Sequence, residues 1–132
     1  MKQLLAIMLS LAIGFSAYSQ RDSARGEQFQ LTGKINNEVQ MTPDCGYIAW
    51  GTVVQFDVVS ISGMAYPNKT IGIIVTCPEL YEKGFFVEGK TYKVIFSNKN
   101  QANFGWAVPN KDLLKKNGLP YEPYIVSIKK AP

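Results

Sequence analysis

The chain has 132 residues, of which 46% are hydrophobic, 12% aromatic and 18% charged, a composition of globular rather than disordered proteins. It contains no histidine, which excludes Ser-His and Cys-His nucleophile pairs, histidine proton shuttles and metal sites that need imidazole. Without its expected export segment the chain keeps 113 residues, enough for one hydrophobic core and short for two domains.

Met1-Lys2-Gln3 supplies one positive charge, and Leu4 to Phe15 is an apolar run interrupted by Ser10 and Gly14, the n-region and h-region of a secretory signal. The run is shorter than the roughly 20 residues a membrane-spanning helix needs. It ends in Ser16-Ala17-Tyr18-Ser19, where Ala17 and Ser19 offer the small residues a signal peptidase reads. Residues 1–19 are therefore expected to be a signal peptide cleaved after Ser19, placing the mature chain in a periplasm or outside the cell. The first cysteine is Cys45, so the cleavage point carries no acceptor for lipid attachment. Residues 20–27 are polar and read as a flexible leader, and 28–132 as a single β-barrel domain.

Phe29, Leu31 and Ile35 alternate with polar residues, the period-2 pattern of a half-buried strand, and Gly33 takes an inward position as a bend or bulge. Asn36-Asn37 and the Pro43 region mark a loop. Tyr47 to Ile61 predicts one long strand, with Val54, Phe56 and Val58 on one face until the phase slips at Val58-Val59, as a β-bulge requires. Ser62 to Asn68 is a turn, and Thr70 to Thr76 is a strand with Ile71, Ile73 and Val75 inward. Cys77-Pro78 ends it, because proline cannot donate to a sheet. Glu79 to Gly84 suggests one helical turn. Lys90 to Ser97 is a strand with Tyr92, Val94 and Phe96 on one face, and Phe104 to Val108 has the makings of a short one. Asn110 to Gly118 predicts a short helix with Asn110 as N-cap and Gly118 as the stop. Tyr124 to Lys129 is the last strand, with Tyr124, Val126 and Ile128 expected inward.

Five main strands, one long and bent, must close or stack to bury their apolar faces and hide their edges. The expected fold is all-β, a five-stranded OB-like closed barrel with a short helix, and the alternative is an immunoglobulin-like β-sandwich. Phe56-Asp57-Val58-Val59, the turn Gly63 to Lys69, the strand Ile71 to Cys77 and Gly89-Lys90-Thr91-Tyr92-Lys93-Val94 follow one another as in the OB-type barrel of netrin and TIMP-like modules, which this stretch of about 40 residues resembles. In TIMP-like modules a cysteine at the mature N-terminus inhibits metalloproteases. Here the mature chain would start with Gln20 or Arg21, so the resemblance implies the barrel and not that activity.

Two cysteines in a small exported domain imply one disulfide, Cys45–Cys77, closing a loop of about 33 residues and worth on the order of 3 to 4 kcal/mol. Cysteines without histidine make a poor metal site, so neither a metal nor a cofactor is expected. Gly84 to Thr91 (GFFVEGKT) matches the phosphate-loop pattern, but bulky residues fill the loop and a strand, not a helix, follows Lys90-Thr91. The carboxylates Asp44, Asp57, Glu79, Glu82 and Glu88 are scattered, and no catalytic residue is assigned. Without Lys2, 13 basic residues face 10 acidic ones, and residues 98–132 carry six positive and two negative charges. A basic C-terminal third could favour polyanions, though solvated lysines explain it more simply. Nucleic acid is not an expected partner of an exported chain with so modest a charge.

Trp50, Phe56, Tyr92 and Phe96 fall on inward strand phases and are expected in the core. Phe104, Trp106 and Tyr121 lie in loop-rich sequence beside Lys99, Lys111 and Lys115. These six are the candidate binding residues, able to stack on sugars or dock a protein, unless the aromatics form a second small core under Leu113 and Leu114. The expected function is that of an exported, non-enzymatic binding or interaction module with a protein or glycan partner. The alternatives are a small hydrolase whose carboxylates the fold gathers, and a small-ligand carrier, which would need an enlarged barrel interior. Oligomeric state is not legible.

Overall fold

A computed structural model describes residues 25–132; the expected signal peptide at 1–19 and leader residues 20–24 lie outside the described residues. The strands are β1 (Gln28–Ile35), β2 (Gly51–Ser62), β3 (Thr70–Thr76), β4 (Thr91–Ser97) and β5 (Tyr124–Lys130), with a 3₁₀ turn at Pro78–Leu80 and a 3₁₀ helix at Lys111–Asn117. They close into a barrel in the order β1-β2-β3-β5-β4. All neighbours are antiparallel except β3 and β5, which run parallel. This is the OB-like closed barrel, not the sandwich. The entering chain is anchored as well: the Arg25 carbonyl accepts from Ser97 Oγ at 2.8 Å, and Glu27 N donates to Asn98 Oδ1 at 3.0 Å.

Alternate residues fill the barrel: Phe29, Leu31 and Ile35 from β1, Val54 and Phe56 from β2, Ile71, Ile73 and Val75 from β3, Tyr92, Val94 and Phe96 from β4, and Ile125 from β5. Gly33 occupies an inward position at which a Cβ would lie 2.8 Å from that of Phe56. Its missing side chain is what admits the Phe56 ring. The register of β1 against β2 shifts between Thr32, opposite Ser60, and Gly33, opposite Val58. Val59 is therefore the extra residue of a bulge, 66% exposed, at the expected phase slip.

The structure corrects four expectations. First, β2 begins at Gly51 and not at Tyr47, because its partner β3 ends opposite Gly51 at Thr76 and Pro78 follows. Trp50 is half-buried and outside the core cluster, and its one parallel bridge to Ala107 is all that forms of a strand at Phe104 to Val108. Second, Ile128 packs against the core as expected, but Tyr124 and Val126 do not, and Ile125 joins it there instead. Ile95 pairs with Ser127 but Phe96 with Ile125, so Val126 is skipped as a second bulge and stands exposed while Ile125 turns inward. Third, the turn predicted at Glu79 to Gly84 is shorter and starts earlier, at Pro78, whose fixed φ suits a first helical position.

Fourth, the helix predicted at Asn110 to Gly118 is 3₁₀, and Asn110 stands at its N-cap position as expected but makes no side-chain capping bond. Its carboxamide binds the β2 edge beyond the end of β1: Val53 N donates to Asn110 Oδ1 at 2.8 Å, while Asn110 Nδ2 donates to Val53 O at 3.1 Å and Thr52 Oγ1 at 3.2 Å. At the other end of the helix the buried Asn117 binds the β3 edge in the same way. Gly72 N donates to its Oδ1 at 2.7 Å, and its Nδ2 donates to Gly72 O at 2.8 Å. The helix thus lies across the outer face of the β2–β3 ribbon. Between the clamps, Leu114 lies over Gly72, and just before them Val108, with Ile74, lies over Gly51. A Cβ on Gly72 would sit 2.9 Å from Val53 Cγ1 of the neighbouring strand, so the glycine makes room for the Val53 side chain, while Leu114 Cδ2 of the helix would lie at an ordinary 3.6 Å. Gly118, at φ 64°, stops the helix as expected.

Cys45 and Cys77 form the expected disulfide, with Cα atoms 5.7 Å apart. Two stability changes follow from these contacts. Asn117→Ala leaves the buried amide and carbonyl of Gly72 without partners and is expected to cost about 2–4 kcal/mol, more than Asn110→Ala at its less buried edge, measured as a fall in the urea midpoint at unchanged slope. Cys45→Ser with Cys77→Ser is expected to cost about 2–4 kcal/mol in the same assay, and non-reducing peptide mapping of the oxidised wild type should recover the crosslinked pair.

Candidate functional site

β2 enters and β3 leaves the sheet at one end of the barrel, and the disulfide ties the chain segments outside that end together. Cys77 is the non-glycine residue with positive φ among the described residues, at 46°. This left-handed turn, made directly after Cys77 N donates to Trp50 O at 2.9 Å, swings the chain out of β3 into Pro78. Cys45 N donates to Glu79 Oε1 at 2.7 Å, so the loop before β2 is held both covalently and by a carboxylate. The loop then has no room to bury its next two side chains. Tyr47 is fully exposed and Ile48 is 50% exposed.

The facing wall comes from the segment between β4 and the 3₁₀ helix. Ala107 is stitched to the start of β2, with Gly51 N donating to Ala107 O at 2.9 Å and Ala107 N donating to Ala49 O at 2.8 Å. Asn100 holds the preceding turn: its Nδ2 donates to Phe104 O at 2.7 Å, and its Oδ1 accepts from Trp106 Nε1 at 3.0 Å and from Ala102 N at 3.0 Å. The Phe104 and Trp106 rings lie 5.0 Å apart, and Phe104 is 51% exposed. Tyr47, Ile48, Ala49, Phe104 and Trp106 with the disulfide line a shallow hollow of about 370 Å³.

The six sequence-derived candidates do not form one site. Phe104 and Trp106 meet here. Tyr121 belongs to the opposite end of β2, where it stacks 6.4 Å from Phe29 and its hydroxyl meets Met64 Sδ at 3.6 Å. Lys99 lines a separate hollow of about 810 Å³ with Arg25, Glu27 and Phe29. Lys111 pairs with Glu122 at 2.7 Å, and Lys115 pairs with Asp112 at 3.3 Å on the exposed helix. Tyr47 and Ile48 were absent from the candidates because the sequence reads them as the start of a strand. Pro43 and Cys45 just upstream were the signal that a tethered loop stands there instead.

The phosphate-loop pattern has no phosphate-binding geometry. Thr91 begins β4, the Val87 amide is taken by Tyr92 Oη at 2.8 Å, and the Tyr92 hydroxyl donates to Phe85 O at 2.6 Å. Phe85 and Phe86 pack on Tyr81 to close that end of the barrel. Beside them the fold gathers Glu38, Glu79, Glu82 and Glu88 around a hollow of about 470 Å³. Glu79 is engaged by Cys45 N, and the other three are exposed. Cys45, Cys77 and Glu79 also stand close together, but sulfurs joined in a disulfide offer no thiolate to a metal.

No family model, curated protein or solved structure matches the chain. Among the described residues no helix is long and apolar enough to cross a membrane.

Glu122 also accepts from the Tyr124 hydroxyl at 3.1 Å, next to the parallel bridge between Ile74 and Tyr124 that closes the barrel. Burial first, then the negative charge of Glu122 and this hydrogen bond, push the Tyr124 phenol up to about 12 from its ordinary 10.0. The folded state keeps a proton that the unfolded chain releases, so this stabilisation is complete below pH 10 and is lost as pH rises toward 12. Urea unfolding between pH 9 and about 12 should show wild type losing stability faster than Tyr124→Phe. Equal slopes would remove Tyr124 from the alkaline transition.

Proposed function

We propose that the protein is an exported, non-enzymatic interaction module whose aromatic hollow beside the disulfide docks a protein partner. The observation that carries this reading is the exposure of Tyr47, Ile48 and Phe104 around Trp106 on loops that a disulfide, a carboxylate and an asparagine hold in place. Exposed apolar side chains collected on a fixed scaffold are what a protein interface uses for its anchors. A protein suits the hollow better than a sugar. Its lining holds no carboxylate, amide or cationic side chain to bind sugar hydroxyls, and the Trp106 N–H is already spent on Asn100.

The disulfide favours an oxidising compartment, in keeping with an export signal at residues 1–19. Netrin and TIMP-like modules share the barrel class, and nothing more specific links them to this chain. In OB barrels the face of the second and third strands takes oligonucleotides and oligosaccharides. Here the 3₁₀ helix and its clamps cover part of that face, which favours a different binding surface. The large buried side chains Phe56, Tyr92 and Phe96 fill the interior and disfavour a ligand carrier. The four glutamates beside Tyr81 favour the hydrolase alternative, but three stand in solvent, without the buried setting that keeps a general acid protonated.

A photocrosslinking residue at Tyr47, expressed in the native envelope, should give one discrete protein adduct, while the same residue at Lys116 gives none. Phe104→Asp should abolish the adduct and change stability by no more than about 0.5 kcal/mol, because the ring is half in solvent already. A diffuse ladder from both positions would end the proposal.

A further inference from the structure

On the barrel surface away from the 3₁₀ helix, cross-strand partners line up in rows. Lys93 of β4 stands directly opposite Lys129 of β5, Thr32 of β1 opposite Lys93, and Ser60 of β2 opposite Thr32. In the next row Ser62, Gln30, Ile95 and Ser127 follow in the same strand order. These residues are exposed or half-buried, and they line a hollow of about 480 Å³. No carboxylate and no aromatic ring lines it. Like charges placed directly opposite each other in a sheet destabilise it. Among the described residues the ion pairs Lys111–Glu122 and Lys115–Asp112 lie elsewhere, and no carboxylate lines the hollow beside the opposed lysines.

We propose that this face binds a linear anionic polysaccharide. Lys93 and Lys129 neutralise acidic groups on successive sugars, and Thr32, Ser60, Ser127 and Gln30 hydrogen-bond the sugar hydroxyls. Strands about 4.8 Å apart make the four-strand row roughly 14 Å long, enough to seat a short oligosaccharide. A single-stranded nucleic acid would need rings on which its bases stack, and none is present on this face. A lipid surface would need protruding apolar anchors, whereas the apolar side chains that line this hollow, Leu31, Val94, Ile95 and Ile128, are buried or half-buried.

The test is calorimetric titration with polygalacturonate oligomers and with dextran sulfate, using neutral dextran and a single-stranded DNA oligomer as controls. Wild type should bind one or both anionic chains, more weakly as salt rises, and ignore dextran; preference between the two chains reports carboxylate or sulfate recognition. Lys129→Glu turns the opposed lysines into a cross-strand ion pair, so it should weaken binding by about tenfold while holding or raising the thermal midpoint. Lys116→Glu makes the same change in net charge on the distant helix and should leave affinity within about twofold. Phe104→Asp should also leave it unchanged, which separates this surface from the aromatic hollow. No binding to either polysaccharide, an equal loss in Lys116→Glu, or DNA binding as tight as the polysaccharide would each overturn the proposal.

Discussion

Two asparagine carboxamides do for the edges of β2 and β3 what a neighbouring strand does elsewhere in the barrel. A carboxamide carries one acceptor and two donors, so a single side chain can satisfy both the N–H and the C=O of one backbone residue. Asn110 does so for Val53 and Asn117 for Gly72. Both strand segments lie beyond the reach of their usual ladder partners: β1 is paired only as far as Phe56, and the bridge between β5 and β3 involves Ile74 alone. Left bare, these edges would hold unpaired backbone groups under an apolar cover, at a cost of about 1–3 kcal/mol each. Leu114 and Val108 can cover Gly72 and Gly51 only because the polar groups on either side are already bonded.

The position of the aromatic hollow depends on the same clamps. The chain leaving β4 must travel around the barrel to reach β5, and the clamps fix where it lies. They press its preceding stretch against the start of β2, where Ala107 joins Gly51 and Ala49. Phe104 and Trp106 consequently face a loop that the disulfide holds from the other side. Two constraints of different origin, one covalent and one hydrogen-bonded, bring together aromatic residues nearly sixty positions apart in sequence. Such a surface is preorganised, so a partner would not have to meet the full ordering cost of the loops it touches.

Three hollows on the surface differ in chemistry as well as place. The hollow by the disulfide is apolar and aromatic, the rim by Tyr81 and Phe85 is acidic, and the face over β1, β4 and β5 is basic and rich in hydroxyls. Formal charge alone conceals this division. The basic excess of residues 98–132 does not form one patch, because Lys111 and Lys115 are paired with acids while Lys129 stands opposite a lysine from another strand.

Strand number, the bulge at Val59, the glycine inside β1, the stop at Gly118 and the Cys45–Cys77 pairing were all legible in the sequence, because each follows from local alternation, from a residue with special backbone freedom, or from a count of two cysteines. The sequence also placed Phe104 and Trp106 together in a loop-rich stretch, but it left open whether their rings are exposed or form a second small core, and the structure leaves Phe104 half exposed. Tertiary structure alone decided the rest. Val126 turned outward because the β4–β5 register skips it, a fact about pairing and not about β5 itself. Tyr47 and Ile48 became loop because β3 ends too early to receive them. Asn110 and Asn117 have the same local signature as helix-flanking residues anywhere, and what their carboxamides bind depends on which strand edges the closed barrel leaves unpaired. Local periodicity carries no information about such edges, since they are defined by strands distant in the chain and exist only once the barrel has closed.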